Sequence, residues 1–211
     1  MYEGGSAGSL FCIWCNRFCI IQDVSIGSTN LILIITRENY VNYFLVGYPA
    51  VVKAPLQKIV TQRLGGAVYL RVDTVEQAIR SVYEPGEETG PEGYFAIYGL
   101  ASENLKLGST VVTDSVNDIN LVRDAFRNIA LSLNVPFLEV EIVCSDEKEH
   151  RYRVENRVSD IPGLTPPDWE RVKNREYAPW EREHLILDTA LLSAAECADK
   201  ILEIKIALNR P

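Results

Sequence analysis

Five apolar runs alternate with segments of helical periodicity, and this alternation restricts the folds open to the chain more than any other feature. The runs cover residues 43–47, 67–72, 109–113, 137–143 and 184–188. Most of them are continuous rather than alternating, as expected of parallel strands whose two faces are both covered by helices. We therefore expect a three-layer α/β fold with a five-stranded parallel sheet.

Helical patterns fill the intervals between these runs. Apolar residues recur at helical spacing between Leu56 and Leu64, and Gly65-Gly66 supplies a stop. Thr74 to Gln77 has the pattern of a capping box that would open the next helix. Further helices are predicted over residues 92–107, 118–132, 146–158 and 193–208.

The segment between the first run and the first helix carries the clearest chemical motif. It reads Gly47-Tyr48-Pro49-Ala50-Val51-Val52-Lys53-Ala54-Pro55. In the pattern GxxxxGK[ST], backbone N–H groups cradle phosphates, the lysine neutralises the β and γ oxygens, and the hydroxyl holds Mg²⁺. Gly47 and Lys53 keep the spacing of this pattern, so we predict nucleotide binding at residues 47–55.

The same loop departs from the motif in ways that matter chemically. Val52 stands where the second glycine belongs, and a β-branched residue tolerates positive φ or close ligand approach badly. Backbone strain of that kind costs on the order of 1–3 kcal/mol. Ala54 removes the hydroxyl that binds Mg²⁺, whereas Pro55 is compatible with a first helical turn. Taken alone, the loop fits both a nucleotide site and a coincidental match.

Two carboxylates follow predicted strands, at the edge where α/β sheets bind ligands. Asp73 is predicted to orient or accept the proton of a hydroxyl substrate, and Asp114 to contact substrate or metal-bound water. The alternatives are structural: Asp73 would cap the following helix, and Asp114 would cap a turn with Ser115 and Asn117.

Arginines supply the predicted cationic groups. Arg153 and Arg157 fall on one face of the predicted helix over residues 146–158, where their guanidinium groups match phosphate oxygens. The alternative is a solvated helix with Glu–Arg pairs at i,i+4 spacing. Arg123 and Arg127, on the helix after Asp114, are further candidates for the cleft.

Residues 1–40 differ from the rest of the chain, so we divide it into 1–40 and 41–211. The first part is predicted to be a poorly ordered extension or a segment upstream of the true start. Cys12, Cys15 and Cys19 could form half of a metal site, but His150 and His184 are distant in sequence. We therefore assign no side chain of the protein as a metal ligand, and we expect both histidines to be structural.

Charge and hydropathy exclude several classes of function. The formal net charge of −8 argues against a general nucleic-acid or membrane-surface binder. The run from Leu31 to Ile35 is far too short to span a bilayer, and Arg17 interrupts the apolar stretch over residues 10–21. With no basic leader either, a cytoplasmic protein with reduced thiols is expected.

From about Asn42 to Leu208 the chain resembles the small P-loop kinases often labelled AAA-family ATPases, relatives of chloramphenicol phosphotransferase, zeta-toxin-like kinases and polynucleotide 5′-kinase. The resembling segments are Phe44 to Pro49, Leu64 to Thr74, Val112 to Asn117, His150 to Arg157 and Ile186 to Ala190. The resemblance implies a P-loop NTPase fold with a small helical lid. It also implies binding of ATP or GTP with Mg²⁺ and transfer of the γ-phosphoryl group to a small hydroxyl-bearing substrate.

The resemblance also implies roles for particular residues. Gly47 and Lys53 would contact phosphates, Asp73 would act as base or substrate ligand, and Arg153 and Arg157 would belong to the lid. The departures from the family pattern are Ala50, Val52, Ala54 and Pro55. The predicted function is an ATP-dependent phosphotransferase. The alternative is a catalytically weak or inactive relative that serves as a nucleotide-binding or interaction module.

Overall fold

The computed structural model describes residues 12–15, 18–21, 42–47, 53–84 and 90–208. The chain divides into two compact units, residues 1–38 and 39–211. In the first unit, strands β1 (Cys12–Cys15) and β2 (Phe18–Ile21) pair antiparallel, with Trp14 opposite Cys19. The side chains of these cysteines lie outside the described part, so the metal-site hypothesis stays a prediction.

The second unit is built on a parallel sheet. Its strands are β3 (Asn42–Gly47), β4 (Val68–Arg71), β5 (Val111–Ser115), β6 (Phe137–Val143) and β7 (Leu185–Asp188). They lie in the order β4-β5-β3-β6-β7, and every neighbouring pair is parallel. The strand bounds fall within two residues of the predicted runs. The prediction of an α/β fold with parallel strands is confirmed.

Seven helices are described. They are α1 (Lys53–Arg63), α2 (Val72–Arg80), α3 (Glu92–Lys106), α4 (Asn120–Ser132), α5 (Glu147–Asn156), α6 (Trp169–Lys173) and α7 (Ala194–Leu208). Asp146 caps α5, because its carboxylate accepts hydrogen bonds from the backbone N–H groups of Lys148 and Glu149. The short helix α6 was not predicted from the sequence. No helix among the described residues is long and apolar enough to cross a membrane.

The predicted capping box at Thr74 is wrong. Helix α2 begins at Val72, immediately after β4, and its N-cap residue Arg71 is extended and makes no side-chain capping hydrogen bond. Val72 is only 1% exposed and packs in the apolar core, so tertiary packing decides where the strand gives way to the helix. Asp73 consequently lies in the first turn of α2 and does not cap it.

Apolar clusters cover both faces of the sheet. One face packs against α1 and α7 through Leu56, Val60 and Ile201, and the other packs against α3 and α4 through Ile97 and Phe126. All five side chains are fully buried, and each such burial stabilises the fold by about 1.5–3 kcal/mol. The sheet is therefore the middle of three layers.

A pair of glycines in α3 provides a test of this packing. A Cβ atom on Gly93 would lie 2.3 Å from Cγ of Glu76 in α2, whereas a Cβ atom on Gly99 would meet nothing within 4 Å. We expect Gly93→Ala to lower the free energy of unfolding by about 1–3 kcal/mol, because the side chain of Glu76 would have to shift to make room for the added methyl group. Gly99→Ala should raise it by about 0.5–1 kcal/mol. Urea denaturation of the two variants checks this, and equal effects would contradict the described contact.

Candidate functional site

The carboxyl ends of the parallel strands meet at one edge of the sheet. Strand β3 is central; α1 leads from it toward β4 on one side, while β6 and β7 lie on the other. Ligands of α/β sheets bind at such a reversal of strand order. The segment between Gly47, at the end of β3, and Lys53, at the start of α1, therefore falls at the position where a ligand is expected.

The predicted phosphate loop is only partly described. Tyr48, Pro49, Ala50, Val51 and Val52 lie outside the described residues. Lys53, Ala54 and Pro55 form the first turn of α1, as the motif requires, but their side chains are not described. The phosphate contacts assigned to this segment therefore stay predictions.

Asp114 is the best-connected carboxylate at this edge. It is only 6% exposed, and its Oδ1 accepts a hydrogen bond of 3.1 Å from Nε2 of Gln57 in α1. Its Oδ2 accepts one of 2.7 Å from the Tyr69 hydroxyl and lies 3.6 Å from Nε of Arg71. Burial raises the pKa of Tyr69, and the charge of Asp114 raises it further, so the phenol stays a neutral donor. Asp114 thus joins α1, β4 and β5, and its predicted contact with substrate or metal-bound water stays a prediction.

The charge network continues from Arg71 to the segment that follows α5. Nη1 of Arg71 lies 2.7 Å from Oδ1 of Asp160, and Nζ of Lys58 lies 2.9 Å from Oδ2. The hydrogen bonds from Lys58 and Arg71 lower the pKa of Asp160 to about 2. Neither Arg71 nor Asp160 was predicted from the sequence to belong to the site. The available signal was a cation at the end of a buried strand, two residues before Asp73.

Asp73 and Arg157 are the next two candidates, and the catalytic roles predicted for them stay predictions. Asp73 is partly buried in the first turn of α2, and Arg157 is half-buried directly after α5. Burial lowers the pKa of Arg157; the charge of Asp73 opposes this shift, and the charge of Arg71 adds to it. The three side chains are therefore close enough to act on one another electrostatically.

Arg153, four residues before Arg157, makes different contacts. Its Nε donates to Oε1 of Glu149 at 2.8 Å, the i,i+4 pair of the structural alternative. Its Nη1 and Nη2 donate to Oγ1 and the carbonyl oxygen of Thr189, at 3.0 and 3.1 Å. Arg153 thereby fastens α5 to the turn after β7. Its predicted contact with a transferred group stays a prediction.

Arg123 is enclosed rather than open to a substrate. It is 2% exposed, and its Nε donates to the carbonyl oxygen of Asn117 at 2.8 Å. Its guanidinium also lies over the rings of Tyr177 and Trp180, at 4.7 and 4.5 Å from their centroids. These contacts hold the loop after β5 against the segment before β7. On the same helix, Arg127 pairs with Glu139 at 2.7 Å.

Sequence reasoning missed Asn117 as a candidate. It follows β5, is fully buried and has a φ of 47°, a conformation that asparagine adopts more readily than most residues. Its Oδ1 accepts a hydrogen bond of 2.6 Å from Ser115, which stabilises the turn after β5. The hydrogen bonds described for the two oxygens of Asp114 run to α1 and β4, and its turn-capping alternative stays a prediction.

Buried polar atoms without a hydrogen-bond partner concentrate at this edge. Among the described side chains there are four, namely Oε1 of Gln57, Nε of Arg71, Nδ2 of Asn117 and Nε of Arg157. Each such atom costs about 1–3 kcal/mol if nothing binds to it. Three of the four are donors, so the arrangement suits a ligand rich in oxygen atoms. Among the described side chains, no cluster of three or more His, Cys, Asp or Glu residues is placed to hold a metal ion.

Comparison with known proteins identifies the fold. No family model matches the sequence, and no curated protein matches it. Solved structures do match. The APS kinase of Mycobacterium tuberculosis in complex with AMPPNP and APS has a TM-score of 0.57 and 14% identity, over 79% of this chain and 97% of that one. A gluconokinase from Sinorhizobium meliloti has a TM-score of 0.55 and 16% identity, over 81% and 94%.

A third matching structure is named for drug resistance and not for a kinase activity. The tunicamycin resistance protein of Deinococcus radiodurans has a TM-score of 0.55 and 12% identity, over 78% of this chain and 95% of that one. Each solved chain is covered almost completely, so the likeness concerns the whole domain. This chain therefore has the fold of the small P-loop kinases.

Acid titration tests the link between the edge and the segment after α5. The folded pKa of Asp160, about 2, lies below its ordinary value of 3.8, so its ion pairs stabilise the fold above about pH 4 and are lost as the pH falls toward 2. Asp160→Asn should therefore lower the free energy of unfolding at pH 7, and the deficit should shrink between pH 4 and pH 2. Denaturation across this range checks the prediction.

The matched control for this variant is Asp199→Asn, which removes a single exposed ion pair with Arg63. We expect it to have a smaller effect at pH 7, since exposed pairs contribute about 0–1 kcal/mol. A deficit for Asp160→Asn that is independent of pH would show that the two ion pairs are not its source.

Proposed function

We propose that this protein is an ATP-dependent phosphotransferase that moves the γ-phosphoryl group of a nucleotide to a small hydroxyl acceptor. The observation that carries the proposal is the group of four unpartnered buried polar atoms at the carboxyl edge of the sheet. Their preorganised positions favour a polar ligand at the point where the strand order reverses. The kinases that share this fold support phosphoryl transfer as the class of reaction.

The nucleotide phosphates bind at the junction of β3 and α1. Helix α1 begins at Lys53, so its first backbone N–H groups and its dipole favour an anion there. Lys53 neutralises the β and γ oxygens, and Gly47 allows the backbone to turn beneath them. ATP or GTP satisfies this arrangement. Ala54 offers no hydroxyl ligand, so Mg²⁺ would be bound together with the nucleotide, whose phosphate charge it would neutralise.

The acceptor hydroxyl is positioned by Asp73. Its oxygen attacks the γ phosphorus in line, the bond to the bridging oxygen of the nucleoside diphosphate breaks, and the hydroxyl proton passes to the Asp73 carboxylate. Arg157 supplies positive charge to the transferred group or to the acceptor. Arg123 and Arg153 act as positioning residues, because their guanidinium donors are occupied by the protein itself.

The segment from α5 to α6 forms a small helical lid. Arg153 connects it to the turn after β7, and Asp160 connects it to β4 and α1. The lid is therefore attached at two points to the edge where the nucleotide and the acceptor meet.

The sequence of the loop favours a second candidate function. Val52 and Ala54 weaken the phosphate cradle, and a relative with a weak cradle would serve as a nucleotide-binding or interaction module without catalysis. Nucleotide affinity and turnover, measured separately, distinguish the two functions.

Substitutions of Lys53 and Asp73 separate binding from chemistry. We expect Lys53→Met to weaken ATP binding by about 10- to 100-fold, because the phosphate charge loses its counter-ion, which corresponds to about 1.4–2.7 kcal/mol. Asp73→Asn should leave ATP affinity within threefold and slow phosphoryl transfer by about 10²- to 10⁴-fold. Calorimetry with Mg²⁺-ATP and ADP release in the presence of a panel of hydroxyl compounds give the two readouts. Asp199→Asn is the matched carboxylate control, and unchanged transfer in Asp73→Asn would exclude Asp73 as the base.

Restoring the motif tests the alternative. The double variant Val52→Gly/Ala54→Ser should bind Mg²⁺-ATP more tightly than the parent, because a strain on the order of 1–3 kcal/mol is relieved and a metal ligand is gained. Binding only by the repaired protein would support the inactive alternative. If the parent and the double variant bound ATP with equal affinity, both with Mg²⁺ and without it, Val52 and Ala54 would not hinder the site.

A further inference from the structure

An open cleft of about 520 Å³ lies between α5 and α6, outside the strand-end edge itself. Its lining includes the apolar side chains of Val154, Pro166, Pro167 and Trp169, and Arg157 supplies a cation. This volume falls within the range of about 300–1,000 Å³ that is usual for small-molecule sites. Of the residues that line the cleft, only Arg157 has a role in the reaction proposed above.

The apolar part of the cleft is held in place by packing. Val154 and Trp169 are 4% and 8% exposed, and both pack with Val172 in a small separate core. The ring of His150 meets the ring of Trp169 edge to face, with 5.3 Å between centroids. A preformed apolar lining of this kind suits the ring or hydrocarbon part of a ligand.

No carboxylate among the described residues forms an ion pair with the Arg157 guanidinium, although the charge of Asp73 acts on it from farther away. Its only hydrogen bond there runs from Nη2 to the carbonyl oxygen of Pro167, at 3.3 Å, and its buried Nε has no partner. The neighbouring Arg151 pairs with Glu155 at 2.8 Å, and Arg71 pairs with Asp160 at 2.7 Å. A half-buried cation that lacks such a pair is costly, so an anionic group of a ligand would stabilise it.

The carboxylates of the cleft do not cancel this preference. Glu155 is neutralised by Arg151 at the rim, and Asp168 accepts the backbone N–H of Arg171 as the cap of α6. Glu170 is exposed to solvent, where its charge is screened. Arg157 therefore sets the preference of the inner part of the cleft.

Arg157 also connects the cleft to the proposed reaction centre. Asp160, three residues after Arg157, forms an ion pair with Arg71 at the end of β4, and Asp73 lies two residues beyond Arg71. This ion pair brings the segment that carries Arg157 to the edge of the sheet, and Arg157 also lines the cleft. A ligand whose anionic group contacts Arg157 would have its remaining atoms either on the apolar lining or directed toward Asp73.

We propose that this cleft is the acceptor pocket and that it selects a hydroxyl compound carrying both an anionic group and a ring. Arg157 binds the anionic group, and Val154, Trp169 and the two prolines contact the ring. The acceptor role rests on the proposed function, in which Asp73 receives the hydroxyl proton. The preference for an anion with a ring rests on the cleft alone.

Phenyl phosphate, which combines an anion with a ring, is a direct probe, and benzyl alcohol is its neutral counterpart. Binding is followed by the NMR shift of the Trp169 indole N–H, assigned with Trp169→Phe. We expect phenyl phosphate to bind at least tenfold more tightly than benzyl alcohol, and Arg157→Gln to remove that advantage. Arg63→Gln is the matched control, because Arg63 is exposed, pairs with Asp199 and does not line the cleft, and it should change the affinity less than twofold. No shift at Trp169, or equal affinity for the two probes, would overturn the proposal.

A second titration, with saturating Mg²⁺-AMPPNP, identifies the source of the anion. Simultaneous binding of phenyl phosphate and AMPPNP supports a separate acceptor pocket. Displacement of phenyl phosphate by AMPPNP would assign Arg157 to the γ-phosphate and overturn the acceptor pocket. A protein that binds phenyl phosphate but no nucleotide would refute the proposed function and, with it, the acceptor role, while the anion preference of the cleft would stand.

Discussion

The arrangement of the carboxyl edge of the sheet depends on the hydrogen bonds of the buried Asp114 carboxylate. A charge this deep is tolerated only where hydrogen bonds surround it, and Gln57 and Tyr69 each donate one. Through these donors α1, β4 and β5 are held in one arrangement. Arg71 extends the arrangement by contacting Asp114 and Asp160 together, so the segment after α5 is fixed to the same edge. The positions of the segment after α5 and of the strand ends are therefore coupled by charge.

Counter-charge separates the arginines of this domain into two groups. Arg71 has a carboxylate partner, Arg153 has Glu149 and Thr189, and Arg123 is enclosed by backbone oxygens and aromatic rings. These three contribute to positioning, and removing any of them would leave buried partners unsatisfied. Among the described residues, Arg157 has no carboxylate at ion-pair distance, and its Nε has no hydrogen-bond acceptor. It is the arginine whose surroundings are completed by a ligand.

Most of the fold could be predicted from the sequence, because buried parallel strands are continuous apolar runs and helices have a period of their own. The start of α2 could not, since packing of Val72 overrides the capping pattern at Thr74. The roles of Arg123 and Arg153 escaped prediction for a related reason: their partners Pro179 and Thr189 are 56 and 36 residues away in the chain. That Asp73 lies close to the end of β4 could be predicted, whereas its place inside the first turn of α2 could not.

The two halves of the proposed site differ in how well they are built. The nucleotide half departs from its motif at Val52 and Ala54, whereas the carboxyl edge and the adjoining cleft keep buried nitrogen atoms that lack a hydrogen-bond partner, on Arg71, Asn117 and Arg157. At about 1–3 kcal/mol each, these atoms cost a large part of the roughly 5–15 kcal/mol by which a domain is stable. Bound oxygen atoms would offset that cost, because they supply the missing acceptors. Ligand binding at this edge thus has a physical basis that does not depend on the loop, whereas phosphoryl transfer depends on how well Lys53 and its altered neighbours hold the nucleotide.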